Sequence, residues 1–118
     1  MVTIDRSSSE SDLYLELRNK TKNLEWSVKE LNQSGIAYAQ AERDYKVLLR
    51  QAVLKMRSEG LAVGIIDKTC HGVPEVANAR FNRDVAEATY KANLEAINAL
   101  KLQMRIIEAQ IQREWGQA

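Results

Sequence analysis

Apolar residues recur at alternating steps of three and four along two long stretches of this chain. That spacing constrains the fold more than any other feature, because it puts one apolar stripe along a helix and rules out strand alternation. In the first stretch the stripe is Tyr14, Leu17, Thr21, Leu24, Val28, Leu31, Gly35, Tyr38, Glu42, Tyr45, Leu49, Ala52 and Met56, and ten of these thirteen positions are apolar or aromatic. In the second it is Val76, Ala79, Arg83, Ala86, Tyr90, Asn93, Ile97, Leu100, Met104, Ile107 and Ile111, with nine of eleven apolar or aromatic. The spacing therefore predicts an all-α fold: a long antiparallel helical hairpin, with helices over 12–59 and 73–115 and a connector over 60–72.

The ends of these helices carry their own signals. Ser7-x-x-Glu10 and Ser9-x-x-Asp12 are capping candidates at the start of the first helix. Lys55 and Arg57 suit a helix C-terminus, and Gly60 suits the left-handed position that ends it. Pro74 fits the first turn of the second helix, and Gly116 is a natural stop after Trp115. Residues 1–11 are polar and serine-rich and read as a flexible N-terminal tail with no apolar core for a signal peptide. Residues 12–118 then form one helical-hairpin domain.

Two details set the assembly question. Ser34-Gly35 interrupts the first stripe, and a glycine inside a helix costs about 1 kcal/mol, so a kink or short break is expected there. The second helix carries a further stripe, Phe81, Val85, Ala88, Ala92, Ala96, Ala99 and Ile106, which one partner helix cannot cover. Two arrangements answer this: a dimer that forms a four-helix bundle, or a monomer with the first helix broken at Gly35 and folded back into a three-helix bundle. The dimer is the favoured one. The connector, with Leu61, Val63, Ile65 and Ile66, is too apolar for a plain linker and is expected to fold over the hairpin tip or form a short extended segment.

Charge narrows the function. The chain of 118 residues has 17 Lys and Arg against 16 Asp and Glu, and neither half is strongly basic. Nucleic-acid binders draw most of their affinity from phosphate neutralisation, so this balance disfavours that class without forbidding a basic stripe. Lys20, Lys22, Lys29, Arg43, Lys46, Arg50 and Arg57 would be its contacts. No apolar run reaches the ~18 residues of a membrane span. The single cysteine excludes an intrachain disulfide and fits a reducing compartment.

Chemistry is sparse. Cys70-His71 is the only pair with metal-ligand chemistry, and zinc needs about four ligands, so no metal and no cofactor are expected. Adjacent residues on a loop rarely turn the thiol onto the neighbouring imidazole, so a Cys–His nucleophile is not expected either. Glu42, Arg83 and Asn93 lie on the seams and read as residues that set helix register. In a hairpin closing near 60–72, Glu42 would face the Tyr90–Asn93 region and Arg83 would lie near Leu49. On this reading Asn93→Leu would keep or raise the melting temperature and broaden the oligomer distribution. Trp26 and Trp115 lie in the half distant from the connector, where they would close the open end of the hairpin or form a partner-binding patch.

The segments Tyr38-Ala-Gln-Ala-Glu-Arg-Asp-Tyr45, Met56-Arg-Ser-Glu-Gly60, Arg80-Phe-Asn-Arg-Asp-Val-Ala-Glu-Ala-Thr-Tyr90 and Leu100 to Trp115 together resemble a family of small uncharacterised helical proteins encoded by phages and prophages of Gram-positive bacteria. The resemblance runs over about two thirds of the chain. It implies a phage origin and the cytoplasm of a bacterial host, and it carries over no catalytic residue. The expectation from sequence is a non-enzymatic protein–protein interaction module, homo-oligomeric, acting on another phage or host protein. The alternative is a nucleic-acid-associated accessory protein of phage replication or recombination.

Overall fold

The structure is a computed structural model that describes residues 6–115, with side chains described from Asp12 onward. It is all-α, with the order α1 (Arg6–Ser58), α2 (Val63–Thr69), a 3₁₀ turn (Cys70–Gly72) and α3 (Pro74–Trp115). The described residues contain no strand. None of these helices is long and apolar enough to cross a membrane.

The first helix differs from expectation at two places. It starts at Arg6 rather than Asp12, so both capping candidates fall within the helix, and Met1 to Asp5 lie outside the described residues. It also runs without a break through Ser34-Gly35. The folded-back three-helix alternative, which needed a break there, is not adopted. The reason is tertiary. Ser34 is buried, and the Cα of Gly35 faces Tyr90, with a Cβ at that position lying 3.4 Å from the ring. Small residues let the Tyr90 ring approach the backbone, and that packing outweighs the glycine's helix cost.

The C-terminus of α1 follows its sequence. Gly60 takes φ +82°, its N–H donates to the Arg57 carbonyl, and the Leu61 N–H donates to the Met56 carbonyl. This is the paired bonding of a Schellman stop. Pro74 opens α3, and the Val73 carbonyl accepts the first helical bond, from Ala77. Gly116 lies outside the described residues. The connector is helical rather than extended: α2 and the 3₁₀ turn bury Ile66 and Cys70.

The chain divides into two compact units. One comprises residues 1–31 and 93–118, the other residues 32–92. In the second unit α1 and α3 pack antiparallel. Tyr45, Val76 and Ala79 form its buried core, with Leu48, Leu49, Ala52 and Val73 packed against them. In the first unit Ile97, Ile107 and Ile111 are buried, with Leu13, Leu17, Leu24, Leu100 and Met104 half-buried. The second-helix seam is the one expected: each of its eleven positions is buried or half-buried. The first-helix seam holds in the second unit. It slips by one position in the first, where Tyr14, Thr21 and Val28 are exposed while Leu13, Lys20 and Ser27 are turned further inward.

Candidate functional site

The densest polar arrangement lies in the second unit. Tyr45, on α1, is buried, and its hydroxyl lies 2.9 Å from His71 Nε2. His71 Nδ1 in turn lies 3.4 Å from Cys70 Sγ, and the thiol donates to the Asp67 carbonyl at 3.8 Å. One tautomer satisfies all three contacts: His71 donates from Nδ1 to the sulfur and accepts at Nε2 from the tyrosine hydroxyl. The 3₁₀ turn thus presents the thiol to the adjacent imidazole, which the sequence argued against. The expectation assumed a free loop, whereas the turn is held by Thr69, whose hydroxyl donates to the Ile65 carbonyl and contacts Met56 Sδ.

The thiol is enclosed, while His71 itself is solvent-exposed. Cys70 is 3% exposed, so the sulfur has little access to a substrate. Both nitrogens of His71 are engaged. Among the described residues no group of three or more His, Cys, Asp or Glu side chains is placed to hold a metal ion. The geometry suits a latch that fastens the connector to α1.

Arg83 completes this cluster from α3. Its guanidinium stacks on the Tyr45 ring at 4.6 Å and donates to Asp84 Oδ1 at 2.8 Å. The bond with Asp84 raises its pKa above the ordinary arginine value, against the opposing effect of desolvation. Tyr90 packs against Gly35 and pairs with Tyr38, ring centroids 6.1 Å apart. Desolvation raises the Tyr38 pKa, with Glu87 and Glu42 adding to it against Arg83 and Lys91. Glu42 is half-buried and pairs with Lys46 at 3.7 Å. The helix register therefore differs from the expected one. Arg83 meets Tyr45, one turn before Leu49, and Tyr90 meets Gly35 and Tyr38 rather than Glu42. The connector folds back onto the end of α1, where Thr69 contacts Met56 Sδ.

Asn93 belongs to the first unit. It is half-buried and donates to the Glu30 carbonyl at 3.4 Å, joining α3 to α1. Trp26 and Trp115 belong to the same unit and are not brought together. With Asn93 beside Glu30, Trp26 lies across from the region of Ile97. Trp115 is then some 18 residues further along α3, about 27 Å at 1.5 Å per residue. Trp26 is 64% exposed and Trp115 57% exposed, so neither seals an end. The basic candidates separate as well. Lys20 is half-buried and lines a shallow groove with Gln103 and Ile107 in the first unit, where Lys22 and Lys29 are exposed. Arg43, Lys46, Arg50 and Arg57 are exposed in the second.

The outward faces of the second unit carry exposed apolar residues among the charged ones. On α3, Phe81 is 67% and Val85 50% exposed, and Ala88 and Ala92 continue the same stripe. On α1, Ile36, Val47 and Leu54 are exposed. The α3 stripe is visible in the sequence. The Tyr45–His71 contact is not, because the two residues lie 26 positions apart and nothing local pairs them. Compared with family models, curated proteins and solved structures, the chain matches none.

Proposed function

We propose that this chain is a non-enzymatic helical protein–protein interaction module that assembles with copies of itself. The observation that carries the reading is the exposed apolar face of α3, where Phe81 and Val85 stand outward after α1 has covered the other side of the helix. Contiguous apolar surface of that kind marks an interaction site. Burial of the Cys70 sulfur supports the non-enzymatic part, since the thiol beside His71 does not open onto a cleft that a substrate could enter. The resemblance to phage and prophage helical proteins supports a phage origin, the cytoplasm of a bacterial host as the setting, and another phage or host protein as a further partner. Trp26 and Trp115, both exposed, are the candidate contacts for that partner. Sedimentation equilibrium over a wide concentration range tests the self-assembly: average mass should rise with concentration, and a constant monomer mass would refute it.

A second reading, as a nucleic-acid-associated accessory protein, is favoured by one observation. Arg43, Arg50 and Arg57 repeat every seven residues on exposed positions of α1, and Arg50 and Arg57 form no ion pair among the described residues. Fluorescence anisotropy with duplex DNA at several salt concentrations separates the two readings. Binding that weakens steeply with salt, and that Arg50→Ala and Arg57→Ala reduce, would favour nucleic acid.

A further inference from the structure

Phe81, Val85, Ala88 and Ala92 are spaced four, three and four residues apart, which is the spacing of a coiled-coil seam. We propose that this stripe of α3 is the seam of an antiparallel homodimer, with Asp84 of each chain paired to the partner's Lys91. The proposal rests on the self-assembly reading above and names its surface and its register.

Size decides the direction. In an antiparallel pair Phe81 packs on the partner's Ala92, and Val85 on the partner's Ala88. Each layer then joins one large and one small side chain. A parallel pair would stack Phe81 on Phe81 and Ala92 on Ala92, overfilled at one end and hollow at the other.

Charge decides the register. Asp84 and Lys91 flank the stripe on the same side, seven residues apart, and both are exposed. In an antiparallel pair this flanking position faces its own kind on the partner. The Phe81–Ala92 register sets Asp84 opposite the partner's Lys91 on both sides of the two-fold axis. A slip of one heptad, about 10 Å, sets Asp84 against Asp84 in one direction and Lys91 against Lys91 in the other. Only the one register is attractive. Both groups keep bonding capacity for a partner. Arg83 donates twice to Asp84 Oδ1, leaving Oδ2, and Lys91 pairs with Glu87 at 2.7 Å, using one of its three donors. A seam of four layers belongs to the small, weak class of interface, so the dimer should depend on concentration.

Charge reversal tests the register. Asp84→Lys sets four lysines around the axis, and Lys91→Asp sets four aspartates. Each variant alone should self-associate at least about tenfold more weakly than the parent chain in sedimentation equilibrium. An equimolar mixture of the two should associate again, and so should the Asp84→Lys/Lys91→Asp double variant. Circular dichroism establishes that each variant keeps its helix. Should either lose it, Ala92→Phe serves instead: it overfills the layer facing Phe81 and should weaken association without altering charge. If the parent chain associates and the folded variants associate equally well, this seam is wrong while self-assembly stands. If the variants are monomeric and their mixture is too, the pairing of Asp84 with Lys91 is wrong. If the parent chain stays monomeric throughout, the self-assembly reading fails and takes this surface with it.

Discussion

The Asn93 side chain donates through Nδ2 to the backbone carbonyl of Glu30, 3.4 Å away and on the facing helix. An amide on an apolar seam is costly unless it is bonded, and this one is. The bond reverses the direction expected from the sequence. Asn93→Leu should lower stability by about 1 kcal/mol, since the leucine gives up the interhelical bond. For a domain of this size that is a fall of roughly 3–6 °C in melting temperature. Differential scanning calorimetry checks it, and an unchanged or higher value would show that the bond contributes nothing.

Gly35 should tolerate a methyl group. A Cβ there would meet Tyr90 Cε2 at 3.4 Å and Cδ2 at 3.6 Å, at the near edge of ordinary contact. Alanine restricts the unfolded chain and suits a helix interior better than glycine by about 0.5–1 kcal/mol. Gly35→Ala should therefore raise the urea midpoint. Gly35→Leu should lower it, because the longer side chain would have to displace the Tyr90 ring.

Tyr45 separates the latch from the core. Tyr45→Phe removes only the hydroxyl that meets His71 Nε2, and it should cost about 1 kcal/mol. Tyr45→Ala also empties a core position and removes the surface on which Arg83 stacks, so about 3–5 kcal/mol is expected. Hydrogen exchange adds a local readout. In Tyr45→Phe the amides of α2 and the 3₁₀ turn should exchange faster while those near Ile107 stay unchanged. Uniform acceleration in both places would argue against a latch.

Trp26 should matter to partners and not to folding. It is exposed on α1, so Trp26→Ala should change unfolding free energy by no more than about 0.5 kcal/mol. Its fluorescence should be readily quenched by acrylamide. A loss of several kcal/mol would mean that Trp26 closes the structure instead of facing outward.

Local chemistry in the sequence determined the class of fold, the C-terminal end of α1, the first turn of α3 and the inward face of α3, but not the start of α1 at Arg6 or the helix α2. The steps of three and four from Val76 to Ile111 mark the stripe that faces inward, and α1 covers this one and leaves the stripe through Phe81 and Val85 exposed. Gly60 and Pro74 act through their own backbones, and their positions follow from local chemistry. The inward face of α1 was harder to read. Its apolar residues are scattered around the helix, with Tyr14, Leu15, Trp26 and Val28 all exposed. The helix opposite therefore decided that Leu13 and Ser27 turn inward. Tertiary structure also decided what happens at Ser34-Gly35. Local propensity favours a break, and packing of Tyr90 against the backbone keeps the helix whole. The register of Arg83 on Tyr45, and the contact of Tyr45 with His71, depend on how the connector folds. A side chain's spacing along a helix states which face it occupies. Only the return of the chain states what that face will meet.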